Sequence, residues 1–223
     1  MPRIHFQQQL ADLKDKLLAM AALAQQALDC AVEAYLTQDP GLCQLVRDLE
    51  TAINFAEREV DNMAYNMLAK EQPMAIDLRF ILAVIKINSD LERVGDQSAN
   101  ISSRAESLME LPFIDLPVDI GAMGVWAGKM VRTAIKALLD ADARLAEAVL
   151  EMDDAMDAMN RDAHTALIQV MEHNPDASLH ALTAIIISRN LERTADHATN
   201  IAEDVIFWVR GSDVRHRISL AAD

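Results

Sequence analysis

The chain repeats an 11-residue polar segment 100 positions apart. Residues 91–101 read LERVGDQSANI and residues 191–201 read LERTADHATNI, with 6 of the 11 positions identical. Because each copy keeps a Glu, an Asp and an Asn at spacings of four, these three side chains share one face of a helix. A duplication kept only for packing would need to preserve the apolar positions alone. The repeat therefore predicts two copies of one helical unit, each with a polar stripe.

Long amphipathic helices surround both copies of the repeat. Apolar residues recur at steps of three and four over residues 6–35 and 42–67, and a third helical segment runs over residues 74–110. The breaks between these segments fall at Asp39-Pro40-Gly41 and Gln72-Pro73, where proline and glycine favour turns. Short turns between long helices make neighbouring helices antiparallel. The first half of the chain is therefore predicted to form a three-helix bundle.

The second half of the chain follows the same plan. Three further helical segments come after residue 119, and His173-Asn174-Pro175 ends the second of them as Gln72-Pro73 ends its counterpart. Between the halves, two prolines within six residues indicate a linker. We therefore predict an all-α fold of two tandem, pseudo-repeated antiparallel three-helix bundles: residues 1–110 and 119–211, with a linker over 111–118 and a flexible tail over 212–223.

The charge and the cysteine content exclude several classes of protein. The 35 acidic residues outnumber the 20 basic ones, and the resulting formal net charge of −15 repels the phosphates of nucleic acids. Cys30 and Cys43 lack the spacing of a zinc or redox motif. No apolar run approaches the ~20 residues of a membrane span, and the charged N-terminus is unlike a signal peptide. We expect a cytoplasmic protein that binds no nucleic acid and reaches the membrane only through partners.

Oxygen-bearing side chains also form a stripe on the second and fifth helices. On both helices they recur at successive steps of four, three and four residues. The second helix carries Glu50, Asn54, Glu57 and Asp61, and the fifth helix carries Asp153, Asp157, Asn160 and His164. One helix offers a hard cation only two ligands, whereas two antiparallel helices offer four or more. We therefore predict one carboxylate-rich metal site in each half of the chain. The site of the first half consists of Glu57, Asp61, Glu92 and Asp96, and that of the second half consists of Asp153, Asp157, Glu192 and Asp196. In the second half, His164 and His197 add nitrogen ligands that favour a transition metal.

The same carboxylates also have a purely structural interpretation. Arginines near them in the sequence can pair with them in a solvated ionic seam: Arg58, Arg93, Arg161 and Arg193. Both interpretations stay open at the level of sequence. Enzymatic motifs are missing, because the chain has no glycine-rich phosphate loop, no Gly-x-Ser-x-Gly and no Glu-x-x-His. We expect a protein that acts by binding and not by catalysis.

Three segments resemble the PhoU family of phosphate-uptake regulators. Residues 90–96 (DLERVGD) and 190–201 (NLERTADHATNI) resemble the paired family motifs, and residues 72–79 (QPMAIDLR) resemble the family's Gln-Pro-x-Ala-x-Asp-Leu-Arg segment. The resemblance implies a cytoplasmic, non-catalytic protein made of tandem three-helix bundles. It further implies a negative regulator of phosphate uptake and of the phosphate-starvation response. Such a regulator is an adaptor between the ATPase subunit of the phosphate ABC transporter and a sensor histidine kinase.

The resemblance also implies cofactors and an oligomeric state. Members of the family carry iron or zinc clusters on Glu/Asp-x-x-x-Asp motifs and are often dimers. We therefore expect iron or zinc at the carboxylate sites of a homodimer, with manganese or magnesium as alternatives. The two halves of this chain differ, because Asn160 and His164 stand where Glu57 and Asp61 stand. Two metal sites would then differ in charge and softness.

The partner surface and the exact function are less constrained. Asp77-Leu78-Arg79 has no counterpart in the second half, so we expect Asp77 and Arg79 to face a partner protein. One alternative function is that of a PhoU-like accessory protein for another phosphate or ion transporter. The other is a metal-dependent phosphate-handling enzyme. Turnover of phosphate esters separates an enzyme from a regulator that only binds.

Overall fold

The computed structural model describes residues 2–112 and 114–212, which form six α-helices. The helices are α1 (Pro2–Thr37), α2 (Pro40–Glu71), α3 (Ala75–Glu106), α4 (Ile120–Asp140), α5 (Ala143–His173) and α6 (Ser178–Arg210). A single 3₁₀ turn, Pro175–Ala177, precedes α6. The described residues contain no strand, which confirms the predicted all-α class. The flexible tail predicted over 212–223 lies outside the described residues, apart from Ser212.

Aspartate side chains cap the N-termini of three of the helices. The carboxylate of Asp39 accepts the N–H of Gly41 at 2.7 Å at the start of α2, and Asp119 accepts the N–H of Ala122 at 2.8 Å at the start of α4. Asp142 accepts two backbone N–H groups at the start of α5. The first N–H groups of a helix have no partner within the helix, so each aspartate stabilises its helix by about 1 kcal/mol. These caps fix where α2, α4 and α5 begin.

Helix α3 ends earlier than the sequence predicts. Its last residue is Glu106, and residues 107–110 form a turn instead of the final helical residues. The hydroxyl of Ser107 donates to the carbonyl oxygen of Arg104 at 2.7 Å, a local bond that competes with continuation of the helix. Pro112 also disfavours helical geometry in the residue before it. The prediction that α3 reaches residue 110 was therefore wrong by one turn.

The two sets of three helices share a core. Helices α1, α2 and α3 pack on one another, as do α4, α5 and α6, and the two sets meet where α3 lies against α6 and α1 against α4. The buried apolar side chains of both sets form one continuous cluster. A smaller cluster around Leu167, Ala181 and Ala184 lies between α5 and α6. Because the main core spans both sets, the division at residues 110 and 119 stays a prediction.

The C-terminal end of α6 is held against the N-terminal end of α3. The guanidinium of Arg79 donates to the carbonyl oxygen of Trp208 at 3.3 Å, and the indole ring of Trp208 lies 4.9 Å from the Phe80 ring. Gly211 ends α6 with a φ of +73°, a left-handed conformation that favours glycine. Its N–H donates to the carbonyl oxygen of Phe207 at 2.8 Å. The last turn of α6 is thereby fixed to the first turns of α3.

Helix α4 crosses α1 at close range. An atom at the Cβ position of Gly124 would lie 2.6 and 2.7 Å from the two methyl carbons of Val32, closer than van der Waals contact allows. One turn later, an atom at the Cβ position of Gly128 would meet only the mobile ends of Arg132 and Gln25, at 3.0 and 3.1 Å. Of these two glycines, only Gly124 is required for the approach of the helices.

Among the described residues, one helix is long and apolar enough to cross a membrane by length and composition alone. It is the segment Ile4–Thr37 within α1, and half of its apolar window is buried inside the protein. The core helix of a soluble protein meets the same criterion, so the criterion is weak evidence for a membrane span.

We expect Gly124→Ala to lower the free energy of unfolding by about 1–3 kcal/mol, because the new methyl group forces α4 away from the stiff side chain of Val32. Urea unfolding followed by circular dichroism measures the change. The matched control is Gly128→Ala, for which we expect no loss and a gain of up to ~1 kcal/mol from helix propensity. Equal destabilisation by both substitutions would contradict the close packing of Gly124 on Val32.

Candidate functional site

The predicted metal-ligating residues lie in two clusters, one in each half of the chain. The first cluster consists of the carboxylates of α2 and α3: Glu57, Asp61, Glu92 and Asp96. The second cluster consists of the carboxylates of α5 and α6: Asp153, Asp157, Glu192 and Asp196. Within each cluster the carboxylates are close enough to raise the pKa of their neighbours. The structure therefore brings together the two stripes that the sequence predicts in each half.

An asparagine that the sequence analysis did not single out fixes the register of the first cluster. The side-chain amide of Asn88 donates to the backbone carbonyl of Glu57 at 2.9 Å and to Oδ1 of Asp61 at 3.0 Å, which ties α3 to α2. Asn88 is fully buried. It lies four residues before Glu92 on the same helical face, so continuing the stripe by one turn could have identified it.

The first cluster contains its own cation. The guanidinium of Arg93 lies 3.3 Å from Glu92 and 3.1 Å from Asp96. Burial raises the pKa of Glu57 and of Glu92, and neighbouring carboxylates raise both further, whereas Arg93 lowers both. Arg93 therefore pairs with the carboxylates, as the structural interpretation of an ionic seam predicts. Arg58 donates instead to the backbone carbonyl of Asn54 at 3.1 Å.

The second cluster has arginines near it but none in direct contact, as far as the structure describes the chain. Among the described residues, none of its four carboxylates forms a salt bridge with an arginine or a lysine. Burial, followed by the charges of Asp157 and Asp196, raises the pKa of Asp153 to about 6. Oδ1 of Asp153 is buried and has no hydrogen-bond partner. The pKa values of Glu192 and Asp196 are also raised, in each case first by burial and then by a neighbouring carboxylate, whereas the charge of Arg193 lowers both and that of Arg189 lowers the pKa of Glu192.

His197 lies between the two clusters. When it is protonated, its charge opposes the effect of burial and lowers the pKa of Glu92 in the first cluster and of Asp196 in the second. The Nδ1 atom of His197 lies 2.9 Å from Oδ1 of Asp90, and the side-chain amide of Asn200 donates to the same oxygen at 3.2 Å. The prediction gave His197 a metal-binding role, but this contact commits one of its ring nitrogens to α3. The two clusters thereby adjoin across the packing of α3 on α6.

The donor chemistry of the second cluster fits a hard cation. Its four carboxylates form no salt bridge with an arginine or a lysine of the described residues, and the buried oxygen of Asp153 lacks a partner. Within the described residues, no three His, Cys, Asp or Glu side chains are close enough to hold a metal ion as they stand. His164 is exposed and lies beside Asp157 and Glu192 in an open pocket. A cation at this cluster would require side-chain movement.

Asp77 and Arg79 lie away from both clusters. They belong to the first turns of α3, and Arg79 holds α6 through the carbonyl of Trp208. The neighbouring side chains of Met74 and Ile76 are 78% and 51% exposed, so this end of α3 presents apolar surface next to the carboxylate of Asp77. Arg79 therefore has an intramolecular role, and the expected partner contact stays a prediction.

We expect Asp153→Asn to stabilise the metal-free protein at pH 8 by about 1 kcal/mol, a figure that allows for solvent screening of this half-buried carboxyl. Because folding raises the pKa of Asp153, its carboxyl stabilises the fold while protonated, and this contribution is lost as the pH rises from 3.8 through about 6. The difference between the variant and the wild type should therefore vanish towards pH 4.

Urea unfolding in EDTA at a series of pH values measures this effect. The matched control is Asp154→Asn, because Asp154 is the next residue on α5 and is exposed. We expect the control to leave the free energy of unfolding unchanged within about 0.5 kcal/mol. A wild type that is as stable as Asp153→Asn at pH 8 would contradict the burial of an unpartnered carboxylate.

Comparisons with known proteins agree with the geometry. The family model of the PhoU domain matches residues 17–105 and 120–205. The phosphate-specific transport system accessory protein PhoU homolog of Pseudomonas aeruginosa is 39% identical over 95% of this chain and 88% of its own length, and homolog 1 of Thermotoga maritima is 32% identical over 95% and 92%. The crystal structure of PhoU from Pseudomonas aeruginosa superposes with a TM-score of 0.89 at 38% identity, covering 93% of this chain and 100% of that one. Two PhoU domains in tandem therefore make this chain a member of the PhoU family.

Proposed function

We propose that this chain is a non-catalytic accessory protein of a phosphate-specific transport system that restrains phosphate uptake and keeps the phosphate-starvation response off. The observation that carries the proposal is the match of both halves to the PhoU domain, with relatives named as accessory proteins of that system. The clustered carboxylates of the second half raise one another's pKa, which supports the binding of a positive charge there.

We propose that the counter-charge is a metal ion. The four carboxylates of the second cluster would hold it, and the less negative first cluster, which already contains Arg93, would bind metal more weakly. Iron or zinc is the first choice, with manganese or magnesium as alternatives. Such an ion neutralises the carboxylates and connects α5 to α6. The buried, unpartnered oxygen of Asp153 supports this assignment.

The partners in this proposal are the ATPase subunit of the phosphate ABC transporter and a sensor histidine kinase, with the protein acting in the cytoplasm as a homodimer. Exposed apolar side chains are the usual marks of such contacts. Met74 and Ile76 at the start of α3 form one such surface, and the charged side chain of Asp77 borders it. This surface supports a partner contact at the end of α3, on the side away from the carboxylate clusters.

We expect the wild type to bind divalent metal and the Asp96→Ala, Asp196→Ala double variant to lose most of it. Metal content after dialysis, measured by mass spectrometry for iron, zinc and manganese, gives the stoichiometry. Saturating metal should raise the unfolding free energy of the wild type by about 2.7 kcal/mol at 100 times the dissociation constant. Asp154→Asn should retain full metal content. Unchanged stoichiometry in the double variant would contradict a metal site at the clusters.

In a strain that lacks this protein, we expect phosphatase reporter activity to rise in phosphate-rich medium and to be silenced by the wild type but not by the double variant. The physical reason is that the variant loses the carboxylates that would hold the metal. Asp154→Asn is the control for the effect of a charge change, and immunoblotting confirms equal amounts of protein. If removal of the protein changes nothing, the alternative of an accessory protein for another transporter replaces this proposal.

A further inference from the structure

A cavity lies where the segment between the two halves passes the ends of three helices. Its volume is about 260 Å³, and it is bounded by the end of α1, the turn after α3, the segment 114–118, the start of α4 and the first turn of α6. Pockets for drug-sized ligands are usually larger, at about 300–1,000 Å³, so this cavity suits a smaller molecule. Any occupant would contact both halves of the chain.

Two residues of this cavity correspond to a ring contact in the first half. On the offset of 100 residues between the repeated motifs, His180 corresponds to Phe80 and Leu108 corresponds to Trp208. The rings of Phe80 and Trp208 pack with their centroids 4.9 Å apart, whereas His180 and Leu108 both line the cavity. The second pair has less side-chain volume than the first. The second half of the chain thus leaves space at this position.

Packing alone does not explain the imidazole of His180. The residue is only 6% exposed, and neither ring nitrogen has a hydrogen-bond partner among the described residues. A buried polar group without a partner lowers stability, and the corresponding position of the first half holds a phenylalanine. A ligand in the cavity would supply the missing partner. Rotation of the ring about its Cβ–Cγ bond exchanges nitrogens and carbons within the same volume, so the edge that lines the cavity can carry a nitrogen.

The charge around the cavity selects the class of ligand. The carboxylates of Asp115 and Asp119 line it, and no lysine or arginine of the described residues does. Asp119 uses one oxygen to accept the N–H of Ala122 at 2.8 Å. Asp115 is exposed and has no hydrogen bond or salt bridge within the described part of the chain. The two charges attract a cation and repel an anion, so an amine fits better than a phosphate or a carboxylic acid.

Apolar side chains form most of the remaining lining. They come from α1, the turn after α3, the segment 114–118 and α4: Leu36, Leu108, Ile114, Leu116, Val118 and Ile120. Such walls favour a ligand with an apolar body, because removal of apolar surface from water is favourable. A hydroxyl on this body suits His180, since a hydroxyl can donate to one nitrogen of a neutral imidazole or accept from the other.

We propose that this cavity binds a small organic amine with an apolar body and a hydroxyl group. The ammonium group of the ligand pairs with Asp115 and Asp119, and its hydroxyl bonds to His180. The site is separate from the carboxylate clusters, and the inference goes beyond the proposed function. Because the occupant would hold the segment 114–118 against α1 and α6, its binding stabilises the folded chain.

NMR titration of the full chain with tyramine, which carries an ammonium group, an aromatic body and a hydroxyl, tests the proposal. The ring C–H signal of His180 is identified by its absence in His180→Phe. Near neutral pH we expect a saturable shift of this signal and a rise in the melting temperature. 4-Hydroxyphenylacetate replaces the amine by a carboxylate and should bind at least about tenfold more weakly. Phenethylamine lacks the hydroxyl and should bind about fivefold more weakly.

Two variants locate the binding site. Leu108→Trp installs the residue of the first half and should abolish the tyramine-induced shift by filling the cavity. Asp115→Asn removes one exposed charge and should weaken tyramine binding about threefold or more. Asp154→Asn removes an exposed charge from α5, outside the cavity, and should leave the affinity unchanged. Thermal unfolding shows whether each variant keeps its fold, and Asp115→Asn tests the site even if Leu108→Trp does not fold.

Four results would overturn the proposal. They are no saturable shift with tyramine, equal affinity for tyramine and 4-hydroxyphenylacetate, equal effects of Asp115→Asn and Asp154→Asn, and unchanged affinity in a folded Leu108→Trp variant. Equal affinity for tyramine and phenethylamine would overturn the bond between the hydroxyl and His180.

Discussion

The packing of α3 against α6 is the contact on which the rest of the structure depends. These two helices carry the repeated motifs, and they meet through the bridge of Asp90 with His197 and Asn200 as well as through apolar side chains. The contact merges the cores of the two halves and places the two carboxylate clusters on either side of His197. A change of charge in one half is therefore felt electrostatically in the other.

The two halves keep the same stripe of acids but differ in how they balance it. The first half places Arg93 directly on its carboxylates. The second half directs Arg161 and Arg189 into a neighbouring pocket and leaves the buried oxygen of Asp153 without a partner. The halves therefore differ in where the counter-charge lies: in direct contact with the carboxylates in the first half, and only at longer range, on Arg189 and Arg193, in the second. The repeat in the sequence thus accompanies a difference in electrostatics between the two halves.

The sequence predicts the helices and the stripes well, because periodicity, proline and glycine are local properties. It does not predict the contacts that set the register of the antiparallel helices, such as the bonds of Asn88 to Glu57 and Asp61. Local sequence patterns could not predict the contact between Asp90 and His197 either, because it depends on packing between residues 107 positions apart. The early end of α3 coincides with the hydroxyl bond of Ser107 and with the nearby Pro112, two local signals too weak to outweigh an unbroken helical pattern.

The raised pKa of Asp153, about 6, has a consequence for any cation that binds beside it. Near that pH the carboxyl is partly protonated, and a proton and a metal ion compete for the same oxygens. Binding of a cation then releases protons to the solvent, and by linkage acidification displaces the cation. The occupancy of the second cluster would therefore report the acidity of its surroundings together with the supply of metal.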